Sequence, residues 1–384
     1  MIFEDKYIDY SYKKKTELYQ TLILFYIISN RSIVQLGKFL LNVALILKLP
    51  ILGIIKKTIF KQFCGGENID ESKIKINQLG KHNIKTILDY SVEGNNDSSS
   101  IEKTFLEIIS NINEAKHNPL LPFCVFKITG IAPFHLLKKI NNSTLLSKEE
   151  EKLLTSTKFK LDKICKTAQN CKTPILIDAE ESWIQNAIDK LTEDLMKKYN
   201  KNFVLIYNTI QLYRRDKLEY IYNLHNDAKR HQYKLGLKLV RGAYMEKEEA
   251  RARKKKYKSP IHLSKKDCDN DFNIAIKYCI NNIENISLCI GTHNELSTEY
   301  ALKLMQTKKI KCDDPRIYFS QLLGMSDNIS YHLSKLNYNV AKYVPYGPVK
   351  KVIPYLIRRA EENSAITAQT REEIKRIKNV LKSG

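Results

Sequence analysis

The chain has 384 residues, a net charge of +22 at pH 7 and 43% hydrophobic residues, with a mean hydropathy of −0.37. That balance excludes wholesale disorder and allows one large domain with an appendage, or two domains. The charge invites nucleic acid or an anionic membrane surface, yet the lysines run from end to end, with no basic run interleaved with aromatics and no paired Cys/His finger spacing.

The N-terminal "MIFEDKYIDY" is acidic and lacks a positive segment followed by an apolar stretch. It reads as neither a signal peptide nor an Arg-rich transit peptide. Residues 1–60 read as a helical arm in two or three pieces, broken near Asn30–Ser32 and at Pro50. The apolar stretches Leu18–Asn30 and Phe39–Leu47 fall short of a bilayer span and suit amphipathic or buried helices, with membrane-surface contact left open. The paired glycines of "FCGGENIDE" (63–71) mark a break, and residues 61–384 read as one unit.

From residue 84 onward, short apolar runs rich in β-branched residues alternate with helical patterns. The strand candidates are "KTILDYSVE", "FCVFKITGI", "PILIDAEE", "FVLIYNTIQ", "LGLKLVRGAY", "ISLCIGTHN", "RIYFSQLLG" and "VAKYVPYG". Near-continuous apolar runs suit parallel strands covered on both faces. Eight such units predict a (β/α)8 TIM barrel, with a doubly wound sheet as the alternative. No G-x-G-x-x-G follows any strand, which argues against a dinucleotide-binding sheet. "ARARKKKYK" (250–258) reads as a solvated helix end and loop rather than a nucleic-acid site. The eight cysteines form no C-x-x-C, and the chain reads as reduced and intracellular, without a structural zinc.

In such barrels the chemistry sits at the C-terminal ends of the strands. Here each run ends in polar residues: Asp89, Lys127, Asp178 with Glu180, Gln211, Arg241 with Tyr244, Thr292 with His293, Gln321 and Tyr343. Any one of these is ordinary, but together they form a polar crater able to hold a large, partly anionic ligand. Asp178 and Glu180 share one side of an ideal strand. They suit an acid–base pair or a metal site, but the favoured reading is a salt-bridged pair satisfying Lys127 and an arginine. His293 reads as a hydrogen-bonding residue more readily than as a catalyst. Arg358 and Arg359, adjacent on a helix and about 100° apart, are one buried and one solvated arginine, part of a basic surface, or an anion clamp.

The blocks "LKLVRGAY" (237–244), "YFSQLLGMSD" (318–327) and "YVPYGPVKKVIPYLIRRAEEN" (343–363) resemble the signature blocks of the proline dehydrogenase family. "FCGGEN", "TILDYSVEG", "FKITGI", "LIDAEESWIQ", "YNTIQLY" and "GTHNE" resemble its remaining blocks, in the same order. The resemblance is greatest to the short, single-function bacterial form. It implies a distorted barrel binding FAD at the strand C-termini, with the helix after the eighth strand covering the mouth. The implied activity is oxidation of L-proline to Δ1-pyrroline-5-carboxylate in proline catabolism, with electrons passed to a membrane quinone. The implied location is cytoplasmic, with peripheral contact at the inner face of the cytoplasmic membrane.

By the same resemblance, Arg358, Arg359 and Lys127 grip the proline carboxylate, and Glu362 pairs with a clamp arginine. Tyr244, Leu322 and Tyr343 pack around the ring, and Asp178 orders the site near Tyr343. Gln211, Lys238, Arg241, Gly242, Ala243, Thr292 and His293 are the implied FAD residues. Lys238 stands where some relatives have arginine beside flavin N5, and Met245 where some have an aromatic residue. No residue is assigned to take the substrate's amine proton. The competing readings are a hydroxyproline dehydrogenase of the same fold, and a basic nucleic-acid or membrane-surface protein with a relict barrel.

Overall fold

All eight apolar runs form strands: β1 (Lys85–Tyr90), β2 (Phe123–Lys127), β3 (Ile175–Asp178), β4 (Ile206–Gln211), β5 (Leu235–Val240), β6 (Ile286–Gly291), β7 (Ile317–Leu322) and β8 (Val340–Tyr346). In this computed structural model they pair in parallel and in chain order, and β8 closes back onto β1 with Tyr343 beside Ile87. The structure describes residues 14–47, 49–92, 97–365 and 367–383. The acidic N-terminal decapeptide and the "EG" that ends the block "TILDYSVEG" lie outside them. Helices return each strand to the next, and the barrel is a (β/α)8 barrel.

The local chemistry of the connections is ordinary. Asn68 caps the helix Ile69–Gly80 by accepting from the Glu71 amide, Ser147 and Glu150 form a capping box, and Asn294 accepts from the Ser297 amide. The densest basic cluster is the solvated end of the helix Met245–Lys255, closed by Lys256 in the left-handed region (φ 56°).

Two apolar layers hold the barrel. One lies between the strands and the surrounding helices, through residues such as Leu88, Ile177, Leu237 and Phe319. The other fills the barrel axis with Ile87, Val125, Leu176, Tyr207, Cys289 and Tyr343. The alternation along β3 therefore turns Leu176 and Asp178 inward.

A third apolar cluster lies over the mouth. It joins Leu18, Phe25 and Ile28 of the first helix (Lys15–Ser29) to Val352, Tyr355 and Leu356 of the helix Val349–Ala365. The last helix, Thr367–Ser383, adds Ile374 and Ile377. The break expected near Asn30 is present, with the Asn30 side chain capping the second helix, Arg31–Ile46. After the π-helical turn Lys56–Phe60, the Cys64–Gly66 loop clips onto the end of β8. The Gly65 amide donates to the Pro345 carbonyl at 2.8 Å and the Gly347 amide to the Gly66 carbonyl at 3.1 Å. A Cβ at Gly65 would lie 2.6 Å from Val344 Cγ1, so a side chain there would push the loop off the strand.

Candidate active site

The centre of the mouth is a carboxylate between two lysines. Asp178, at the end of β3, lies 2.6 Å from Lys238 Nζ of β5 and 3.4 Å from Lys127 Nζ of β2. The Tyr343 hydroxyl of β8 donates to the same carboxylate at 2.5 Å, and Lys238 Nζ sits 4.5 Å from the centre of the Tyr343 ring. Burial pushes the Asp178 carboxyl up, but the two lysines and the bonds from Lys238 and Tyr343 outweigh it and hold it at about 2. Burial and the charges of Asp178 and Asp89 push the Tyr343 phenol well above its ordinary value, so it stays a donor. Asp178 is thus satisfied by Lys238, Lys127 and the Tyr343 hydroxyl, and the lysine expected from the sequence is among its partners.

Glu180 does not join that pair. Its carboxylate accepts from the Thr129 amide at 3.1 Å and the Thr129 hydroxyl at 2.5 Å. Burial pushes it up to about 7, against the Thr129 bonds and Lys127. Gln211, at the end of β4, donates to the Glu180 carbonyl at 2.8 Å and accepts from the Ala243 amide at 3.4 Å.

On the other side of the mouth Arg241, just past β5, is fixed three ways. It donates to Asp269 at 2.6 Å, to the Thr292 hydroxyl at 2.7 Å and to the Ser297 hydroxyl at 2.9 Å, and it stacks 4.4 Å from the Phe272 ring centre. His293 Nδ1 lies 3.0 Å from the Ser326 hydroxyl. Burial, then the charges of Lys342, Arg359 and Arg241, lower His293 to about 3, so its ring is neutral. Gly242 takes φ +139°, and a Cβ there would meet the Tyr213 ring at 2.5 Å, which leaves bare backbone at the end of β5.

The helix Val349–Ala365 carries the arginine pair over this mouth. Pro354, inside that helix, lines a cavity of about 350 Å³ together with Lys127, Glu180 and Tyr244. Arg359 is buried, with its guanidinium 5.2 Å from the Tyr355 ring centre, and Arg358 is half-buried. Tyr244 is buried and Leu322, ending β7, is half-buried. The side chain of Glu362 lies outside the described residues.

The sequence profile described as "Proline dehydrogenase" matches residues 73–372. The chain belongs to the proline dehydrogenase family. Its relatives include "Proline dehydrogenase 1, mitochondrial" of Dictyostelium discoideum, 34% identical over 97% of this chain and 73% of that one. The Arabidopsis thaliana protein of the same name is 32% identical over 83% of this chain and 72% of its own length. Among solved structures, proline utilization A from Bdellovibrio bacteriovorus superposes with a TM-score of 0.74 at 19% identity, over 95% of this chain. This chain spans only 39% of that longer one, and at such identity the likeness is one of fold.

Seen as a proline dehydrogenase mouth, the site also holds residues the sequence did not single out. Ser326, given no role from the sequence, meets His293 from the left-handed region (φ 48°). Lys342 is fully buried at 2.8 Å from Asp327 and donates to the Met325 carbonyl at 2.6 Å. The one available signal for Lys342 was a lysine inside an apolar strand, since β8 reads "VAKYVPY". Thr129 carried no signal, because its role is set by Glu180 from the segment that follows β3.

Proposed function

We propose that the chain oxidises L-proline to Δ1-pyrroline-5-carboxylate, with FAD as hydride acceptor and a quinone as the next electron carrier in proline catabolism. The observation that supports this best is the convergence on one mouth of Lys127 and Lys238 around Asp178, beneath the helix that carries Arg358 and Arg359. A small zwitterion needs its carboxylate gripped at one end and its ring packed at the other. Lys127, Arg358 and Arg359 supply the grip, with Glu362 as partner to a clamp arginine, and Tyr244, Leu322 and Tyr343 the packing. Asp178 fixes both the Tyr343 hydroxyl and Lys238, so substrate enters a preset arrangement.

The residues at and just past the C-terminal ends of β4, β5 and β6 fit a flavin. Gln211 and Thr292 bring amide and hydroxyl groups, and Lys238 and Arg241 bring cations. His293 is a neutral ring, and Gly242 with Ala243 presents exposed backbone. When bound, FAD supplies the two-electron acceptor that these side chains do not. With that group bound, Lys238 would stabilise negative charge on its ring.

Electron transfer to a quinone calls for peripheral contact with a membrane. No helix among the described residues is long and apolar enough to cross one. The first two helices instead expose Ile23 (59%), Phe39 (63%) and Ile46 (79%) on a basic protein. Binding to anionic vesicles at physiological salt tests this contact. The cytoplasmic location implied by the resemblance stands beside the mitochondrial one carried in the names of the relatives.

The deciding experiment is the visible spectrum of purified protein before and after proline. Flavin bands that bleach with proline and not with other amino acids support the proposal; a colourless protein, or bands indifferent to proline, would overturn it. Parallel kinetics with hydroxyproline separate the two ring amino acids.

A further inference from the structure

A ring amine is protonated at neutral pH and must lose that proton before the adjacent carbon can give up hydride. Resting on the proline-oxidising reading above, we infer that Glu180 is the general base that takes the substrate's ring-nitrogen proton. Glu180 lies two residues past the end of β3, on the segment that leaves Asp178, and only 4% of it is exposed. It lines the same 350 Å³ cavity as Lys127, Tyr244 and Pro354 of the arginine helix, a volume that suits a small ligand.

The other candidates are committed elsewhere. Asp178 is held ionised by two lysines, and Tyr343 is held protonated. Asp89 accepts from the Ser91 hydroxyl and, unlike Glu180, does not line the cavity. Glu181, the second carboxylate on the cavity wall, pairs with Lys247 at 2.9 Å. His293 faces Ser326.

Glu180 is bonded instead by neutral donors, both from Thr129. Its backbone is pinned on both sides: its amide donates to Gln185 Oε1 at 2.6 Å and its carbonyl accepts from Gln211 at 2.8 Å. Gln185 is itself held by Asp189, which pairs with the buried Lys217 at 2.6 Å. The charges facing Glu180 are Lys127 of β2, which favours its ionised form, and Glu181, which opposes it. Asp178 stands two residues back, at the end of β3, and Lys247 stands across the cavity, tied to Glu181. Burial leaves the group near 7, poised to accept a proton at working pH.

The step balances. The substrate N–H bond breaks and its electron pair stays on nitrogen, while an O–H bond forms on Glu180. The neutral amine then drives hydride from the adjacent carbon to the flavin, the oxidant of the proposed reaction, as a C=N bond forms.

The test is rapid mixing of flavin-loaded protein with proline across pH, using the parent, Glu180→Gln, Glu180→Asp and Thr129→Val. Glu180→Gln is expected to slow flavin reduction by about 100-fold or more and to erase the acidic limb near neutrality. Glu180→Asp should restore part of the rate and move that limb. Thr129→Val should move it to higher pH, because the carboxylate loses a donor. A ring-oxygen analogue of proline, which has no amine proton, should bind parent and Glu180→Gln alike. A readout independent of turnover is the infrared carboxylic C=O band of the protein, which should titrate near neutrality in the parent and vanish in Glu180→Gln. An unchanged acidic limb with rates within threefold of the parent, or an infrared band that survives the substitution, would overturn the assignment of Glu180 alone. Parent protein that proline fails to bleach at every pH would instead overturn the proline-oxidising reading beneath it.

Discussion

The Tyr343 hydroxyl and the Asp178 carboxylate, 165 residues apart in sequence, meet at 2.5 Å across the barrel mouth. The contact exists because β8 closes onto β1 while Asp178 ends β3, so inward-facing positions from distant strands share one end of the axis. Asp178 also carries Lys238 and Lys127, which makes it the hub of the site. Asp178→Asn removes the carboxylate partner of a buried lysine, and an expected cost of about 3–5 kcal/mol should show in urea unfolding. Tyr343→Phe keeps both ion pairs and should cost only about 1 kcal/mol, while raising the KM for proline several-fold.

The arginine pair gives a sharper contrast. If both guanidiniums hold the substrate carboxylate, Lys at either position supplies charge without the planar fork. Arg358→Lys and Arg359→Lys should each weaken proline binding by about 10- to 100-fold, equivalent to about 1.5–3 kcal/mol for a charged hydrogen bond. Titration of flavin reduction against proline concentration measures it, and unchanged affinity in both variants would remove the clamp.

The helix that carries those arginines is itself held from behind. Phe25 of the first helix is buried against the cluster formed by Val352, Tyr355 and Leu356, and Lys38 of the second helix reaches Glu361 at 2.7 Å. Phe25→Ala leaves a cavity in that layer, at about 3–5 kcal/mol of stability. Because the layer supports the grip on substrate rather than the strand ends, the KM for proline should rise more than kcat falls, with flavin content retained. Steady-state kinetics on protein of measured flavin content separate the two effects.

Two buried groups should pull the pH dependence of stability in opposite directions. Burial and neighbouring cations lower His293 from 6.5 to about 3, so from pH 6.5 down to 3 the unfolded chain holds a proton that the folded one lacks. That contribution is complete above pH 6.5 and is lost as pH falls. Burial raises Glu180 from 4.5 to about 7, so the folded chain holds the extra proton there, and that contribution is complete below pH 4.5 and is lost as pH rises. Between pH 4.5 and 6.5 the two nearly cancel. Relative to the parent, His293→Asn should lower the slope of unfolding free energy against pH by about 1.4 kcal/mol per unit, and Glu180→Gln should raise it by as much. Urea titrations at several pH values read both slopes.

The strands were legible because covered parallel strands read as unbroken apolar runs, and "PILIDAEE" or "ISLCIGTHN" needs no partner to be seen as one. The polar residue ending each run then marked the mouth, since one end of a barrel collects them all. What stayed hidden depends on which residues face each other across strands. Asp178 and Glu180, two apart in one apolar run, look equivalent in sequence, yet Asp178 ends β3 and meets two lysines while Glu180 lies past the strand and meets Thr129. Ser326 gave no signal because its use follows from a left-handed backbone that the "GMSD" stretch does not announce. The support of the arginine helix by the N-terminal helices was hidden for the same reason: Phe25 and Tyr355 are over 300 residues apart.

Lys342 and Asp327 supply the last test. Lys342 is fully buried, and Asp327 lies 2.8 Å away at the start of the helix Asp327–Lys335. An ion pair removed from water gains from mutual attraction only about what it loses in hydration, whereas either charge alone keeps the loss without the gain. Asp327→Asn should therefore destabilise the protein by about 3–5 kcal/mol, and Lys342→Met by a similar amount. The double variant should recover much of that loss, because no charge is then stranded. A double-mutant cycle on urea unfolding gives the coupling directly, with an expected value above about 2 kcal/mol. Since Lys342 also helps keep His293 neutral, Lys342→Met should raise the pH at which that ring takes up a proton, which proton NMR of the histidine signals would follow.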